Sequence, residues 1–241
     1  MKRALGFTLI ELILTIVVVG LVALAASNTL QLGFQSYNDS IDRQDNQMQA
    51  KFLIEKLSRE LRHAVPNSVE VTSNNQCISF VPIESSAFYL SFPLINQKTI
   101  DVVVLSELSL NTNNLRLIIN PSTQDDLLQE ENHRYVTVDT IAVSGGVSTV
   151  TFSSNNNPAF ISNSVSERAF FYHPHPIKYC IVGDGVFRSN TQLINQVHNG
   201  HFSFENASIQ RNSIMKLVLA FKNDLGEMTQ YQHDVQVINV P

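Results

Sequence analysis

Charge is scarce in this chain, and nowhere is it strongly basic. Asp, Glu, Lys and Arg make up 15% of the 241 residues, and the net charge is −5. Nucleic-acid binding needs Lys and Arg gathered on one face, and no such gathering exists, so nucleic acid is not an expected partner. Enzyme signatures are missing as well. There is no Gly-x-Ser-x-Gly elbow, no phosphate-cradling glycine loop, no dinucleotide fingerprint and no internal repeat. No catalytic residue and no cofactor is implied, and the chain is not expected to be an enzyme. Cysteine is equally rare: Cys77 and Cys180 are the two present. What remains, 44% hydrophobic residues in 241, is the composition of a globular chain with a real core. One domain, or one domain plus a long helix, fits that length.

Two clusters carry side chains of the metal-ligating kind. His173 and His175, with His198 and His201, offer imidazoles, but a zinc site needs three or four ligands in one place and spacing supplies only two. Asp39, Asp42 and Asp45 lack the glycine-turn loop that collects oxygen ligands around calcium, so they read as a solvated helix face. No metal is expected.

The longest apolar run is Phe7 to Ala26, FTLIELILTIVVVGLVALAA. At 1.5 Å per residue, about 20 helical residues cross the roughly 30 Å hydrocarbon layer. Lys2 and Arg3 precede it and favour keeping that end in the cytoplasm. A secretory signal, cut at the small-x-small site Ala23-Leu24-Ala25, is the plain alternative. Glu11 argues against it. A carboxylate inside an apolar run costs up to about 2.5 to 3.5 kcal/mol at a helix centre, which a disposable signal has no reason to carry. An export signal or an anchored helix both place the cysteines in an oxidising compartment, where a Cys77–Cys180 disulfide is expected. Closing a loop of roughly 100 residues adds up to about 4.7 kcal/mol. The alternative is a pair of buried free thiols.

Gly6-Phe7-Thr8-Leu9-Ile10-Glu11 resembles the processing site of type IV prepilins and type II secretion pseudopilins. The resemblance implies cleavage between Gly6 and Phe7 by a prepilin peptidase and N-methylation of Phe7, which makes Glu11 the fifth mature residue. A buried carboxylate needs a partner, and the new ammonium of Phe7 on a neighbouring subunit can supply it, setting the register between subunits.

Past Ser27 the composition turns polar, yet Leu30, Phe34, Tyr37, Ile41, Met48, Phe52, Leu57 and Leu61 recur near helical spacing. The helix is expected to run from about Phe7 to about His63, weakest over Asn38 to Asn46 and stopped before Pro66. Its apolar stripe should pack on the segments beyond Pro66. From Ser68 on, short β-branched segments read as strands: SVEV, CISFVPI, IDVVVLS and NLRLIIN. Hairpins are expected at Gly145-Gly146, at Gly183-Asp184-Gly185 and at Asn223-Asp224-Leu225-Gly226. Helices are expected over Ser122 to Asn132 and Thr191 to His198. The fold class is α+β: a long N-terminal helix, transmembrane in its first half and amphipathic in its second, packed on antiparallel β-sheet as in type IV pilins. The expected divisions are a leader over 1–6, a transmembrane and filament-core helix over 7–26, an amphipathic continuation over 27–65 and a periplasmic β-rich domain over 66–241.

Body segments refine the resemblance. Ser58 to Val69, Cys77 with Phe80-Val81-Pro82-Ile83, Pro176 to Cys180 before Gly185 to Arg188, and His233 to Pro241 look like the minor pilins of mannose-sensitive haemagglutinin (MSHA) pili. Type II secretion pseudopilins of the J class share the size. The resemblance implies a low-abundance subunit that helps start pilus assembly. Its partners would be other minor pilins, the major pilin, the prepilin peptidase, the inner-membrane assembly platform, and lipid along Phe7 to Ala26. It would be held in the bacterial inner membrane by a single pass, with its C-terminal domain in the periplasm or at a pilus tip. The reading from another class is a membrane-tethered binding or hydrolytic domain for which the helix is only an anchor.

Overall fold

The structure, a computed structural model, describes residues 7–94, 96–104, 111–129, 134–153, 160–205, 213–223 and 226–237. The chain divides into two compact units, 1–48 and 49–241. A single helix, α1, runs over Leu9–Arg62 and belongs to both. The run over Asn38 to Asn46, poor in helix formers, is helical throughout. The helix ends where Pro66 requires it to. His63 and Ala64 donate to the carbonyls of Glu60 and Leu61, tightening the last turn, and the His63 ring nitrogen lies 2.9 Å from the Arg59 carbonyl. Arg59 and Arg62 set positive charge at the negative end of the helix dipole.

In the second unit, the antiparallel strands among the described residues form three sheets. The first has the order β1-β2-β9-β10-β11, built from Glu70–Thr72 (β1), Cys77–Phe80 (β2), Ile177–Val182 (β9), Gly185–Arg188 (β10) and Thr191–Ile194 (β11). The second has the order β12-β13-β14, from Val197–Glu205 (β12), Ser213–Lys222 (β13) and Met228–Val237 (β14). The third closes on itself as a barrel, β3-β4-β7-β6-β5-β8. Its strands are Ser85–Tyr89 (β3), Thr99–Val104 (β4), Arg116–Ile119 (β5), Tyr135–Ser144 (β6), Val147–Phe152 (β7) and Arg168–Tyr172 (β8). The arrangement is α+β, a long N-terminal helix followed by antiparallel sheet, consistent with a type IV pilin-like fold.

Two of the expected hairpins lie within the described residues and form. Gly145 and Gly146 take φ of +61° and +84° between β6 and β7, the geometry that two-residue hairpins demand and that glycine adopts without strain. Gly183 does the same between β9 and β10. Part of the third, Asp224 and Leu225, lies outside the described residues, though β13 and β14 pair from Lys222↔Met228 to Ser213↔Val237. Helix over Ser122 to Asn132 shrinks to one turn, α2 (Asp125–Leu128), and 130–132 lies outside the described residues. Helix over Thr191 to His198 is wrong. Ser189 at φ +51° reverses the chain straight after β10, so Thr191 pairs with Arg188, and Gln196 at φ +60° interrupts any helix.

The core has three parts. Ala50, Leu53, Leu57 and Leu61 on α1 pack against both open sheets, through Ile78, Phe80 and Tyr179 of the first and Phe202, Met215, Leu217 and Leu219 of the second. The barrel interior is filled by side chains, among them Leu117, Val136, Val150, Phe152 and Phe171, so it is a core and not a pore. Val65, Val81, Ile118, Leu127 and Tyr172 join the end of α1 to the barrel wall. Of the expected apolar stripe, Leu57 and Leu61 are buried, while Phe52 is exposed and Leu53 takes the inward position.

Candidate assembly segment

Thr8 starts α1. Its carbonyl accepts from the Leu12 N–H at 3.2 Å and its hydroxyl from the Glu11 N–H at 3.4 Å, so Thr8 caps the helix and Glu11 stands three residues in. Thr-x-x-Glu is the pattern of a capping box, a signal that the sequence carries openly. The cap fixes Glu11 in the first turn, where the helix dipole is positive and favours a negative side chain by about 0.3 to 1 kcal/mol. Phe7, the residue that cleavage would expose, is described and 69% exposed; the leader and Gly6 lie outside the described residues.

From Leu9 to Ala26 Glu11 is the one ionisable side chain. Two threonine hydroxyls bond back to their own helix: Thr15 donates to the Leu12 carbonyl at 2.9 Å and Thr29 to the Ala25 carbonyl at 3.0 Å. That leaves the carboxylate as the polar group in the span that nothing in its own helix neutralises in charge. Among the described residues, this is the one helix long and apolar enough to cross a membrane, by length and composition.

Cys77 and Cys180 form a disulfide. They face each other directly on β2 and β9, with Cα atoms 4.1 Å apart, the short separation of a non-hydrogen-bonded antiparallel pair. The bond joins two strands whose Ile78 and Tyr179 pack on α1, and it closes a sequence separation of 103 residues. On the same sheet Arg188 reaches back to α1, its Nε 3.0 Å from Glu60 Oε2, with Lys56 Nζ 3.3 Å from the same carboxylate. Burial works to lower the Arg188 pKa, but the hydrogen bond and charge of Glu60 outweigh it and hold it raised. The Tyr179 hydroxyl is buried nearby, and burial first, then Glu60, push its pKa up.

The histidines stand apart from this chemistry. His173 and His175 sit in the loop between β8 and β9, where the His175 N–H donates to the His173 carbonyl, and His198 and His201 are exposed on β12. Among the described residues no three His, Cys, Asp or Glu side chains are grouped to hold a metal ion.

Residues 1–27 match the family described as the prokaryotic N-terminal methylation motif. No curated protein and no solved structure matches the chain. The motif supports a type IV pilin or pseudopilin of the kind processed by prepilin peptidase, and with the apolar helix it fits membrane anchoring.

Proposed function

We propose that this chain is a minor pilin of a type IV pilus of the MSHA type, most similar in role to MshO, and that it works as a structural subunit rather than an enzyme. The observation that carries the reading is the methylation motif set on a helix that begins at Leu9 with Glu11 in its first turn. Prepilin peptidase cuts between Gly6 and Phe7 and methylates Phe7. The chain then stays in the inner membrane by one pass, its body in the periplasm, until the assembly platform moves it into a filament. There the Glu11 carboxylate pairs with the Phe7 ammonium of an adjoining subunit, major or minor. In hydrocarbon neither charge is tolerable alone, so the pair has one favourable axial offset and the offset becomes the register. Because this chain has Glu11, it packs beneath another subunit rather than capping the filament alone.

A J-class minor pseudopilin of a type II secretion system is the second reading, since the same motif serves both machines. N-terminal sequencing of the mature protein tests what the two share. A chain starting at N-methyl-Phe7 supports both, and one starting past Ala25 defeats both. Restoration of surface pili, as opposed to protein secretion, in a strain lacking the chain separates them.

A further inference from the structure

Asn-Gly is a pair suited to hairpin turns, yet the one Asn-Gly pair in this chain, Asn199-Gly200, lies inside strand β12. Gly200 is there for packing, since a Cβ would sit 2.8 Å from the Val218 carbonyl oxygen. Asn199 is exposed, and the strand is irregular just before it: pairing with β13 passes from Val197↔Phe221 to Asn199↔Ala220 and leaves His198 as the extra residue. Gly200 turns its polar groups away from β13. Its carbonyl accepts from the Gln76 amide at the junction with the first sheet, and in a strand the N–H and C=O of one residue point to the same side. The Gly200 N–H is therefore outside the β12–β13 ladder, and it donates to Asn199 Oδ1 at 2.8 Å. Asn67-Ser68 and Asn163-Ser164 also set an asparagine before a small residue, but there the nitrogen is held elsewhere. The Ser68 N–H donates to the Val65 carbonyl at 3.1 Å and the Ser164 N–H to the Tyr89 hydroxyl at 2.9 Å, and both serines are buried.

We propose that Asn199 is a site of self-modification in the folded chain: the Gly200 nitrogen closes on the Asn199 side-chain carbonyl to form a succinimide, which water opens to an acid. The reaction needs an amide nitrogen free of the ladder, a side-chain carbonyl within its reach and no side chain on the following residue, and all three coincide here. With a C=O bond of about 1.23 Å, Asn199 Cγ lies within about 4.0 Å of the Gly200 nitrogen, and rotation of the exposed side chain closes the gap. The bond from the Gly200 nitrogen to Cγ forms, the bond from Cγ to Nδ2 breaks, and the Gly200 amide proton leaves with Nδ2 as ammonia. Nothing is oxidised or reduced. Water that opens the ring at Cγ leaves aspartate on an unchanged main chain. Water that opens it at the main-chain carbonyl leaves isoaspartate, with one more carbon in the strand just where Gly200 meets Gln76. Either product adds a negative charge to a chain that already carries −5.

The test incubates the full-length chain in detergent at mildly alkaline pH, folded in one sample and unfolded by guanidinium in the other, and maps its peptides by mass spectrometry over time. Because any Asn-Gly pair reacts in an unfolded chain, the readout is the ratio of the two rates at each site. Folding should slow acid formation at Asn67 and Asn163 by about a hundredfold, the cost of misplacing reacting groups, and at Asn199 by no more than about tenfold. Asn199→Gln, whose ring would need one more carbon, should fold as the parent does, since the side chain is exposed, and should release no ammonia on the same timescale. Suppression at Asn199 as strong as at Asn67 and Asn163, acid at Asn199 in the unfolded sample alone, or unchanged ammonia release from folded Asn199→Gln each overturns the proposal.

Discussion

Gly200→Ala is the sharpest probe of how the two open sheets meet. Gly200 lies on β12 opposite Leu219, and its carbonyl accepts from the Gln76 side-chain amide at 3.0 Å across the junction. Two residues on, the Phe202 N–H donates to the Asn75 carbonyl at 2.8 Å. A Cβ at position 200 would sit 2.8 Å from the Val218 carbonyl oxygen, 2.9 Å from Ile181 Cδ1 and 3.1 Å from Leu219 Cδ2. The Ile181 methyl can turn aside, but the Val218 oxygen is backbone of the central strand and moves only if β12 moves. Overpacking costs about 1 to 3 kcal/mol, and loosening either junction hydrogen bond adds about 1 kcal/mol. A loss of about 2 to 4 kcal/mol, or roughly 4 to 16 °C in Tm at this chain length, is expected on thermal unfolding in detergent. Ile181→Val deletes the methyl but leaves the backbone oxygen, so adding it should restore only a minor part. A Gly200→Ala chain within about 0.5 kcal/mol of the parent, or full rescue by Ile181→Val, would refute the backbone clash.

Removing the disulfide by Cys77→Ala with Cys180→Ala should cost up to about 4.7 kcal/mol from the loop it closes, read as a lower urea midpoint with an altered m-value; an unchanged midpoint would mean the unfolded chain is compact without it. Alkali should unfold the domain through Tyr172 and Tyr179, whose pKa values burial raises above the ordinary 10.0. Above pH 10 the unfolded chain loses protons that the folded chain keeps, so stability is full below that pH and falls by about 1.4 kcal/mol per pH unit for each tyrosine. Tyr172→Phe should flatten that slope in a pH titration of the urea midpoint. Glu11→Ala should leave the folded body and the membrane anchor intact while sharply reducing incorporation into filaments, scored by shearing and immunoblotting; normal incorporation would remove Glu11 from the register role.

Local patterns were legible because each is decided within a few residues. The helix stop at Pro66, the Gly145-Gly146 turn and the alternation of Met215, Leu217, Leu219 and Phe221 follow from backbone geometry and periodicity alone. The candidate assembly segment was readable for the same reason: a carboxylate in an apolar run is costly wherever it sits. The cap at Thr8 was readable in principle too, as Thr-x-x-Glu. Thr191 to Ile194 was misread because its polar composition does not distinguish helix from the return strand of a tight hairpin, and the positive φ at Ser189 decided it.

Tertiary structure decided which strands share a sheet. β8 carries no alternation to announce it, because Ala169 to Tyr172 are buried on both faces, one toward the barrel interior and the other toward the end of α1. The closure of six strands into a barrel depends on pairings such as Ser86↔Phe170, between residues far apart in the chain, that no local pattern encodes. The placing of Cys77 directly across from Cys180 is likewise a matter of register between β2 and β9. Sequence alone determined that the chain carries an apolar span of membrane length with a carboxylate in need of a partner. Packing determined which residues at the end of the helix serve the core, since Leu53, Leu57 and Leu61 find sheet to cover while Phe52 beside them stays exposed.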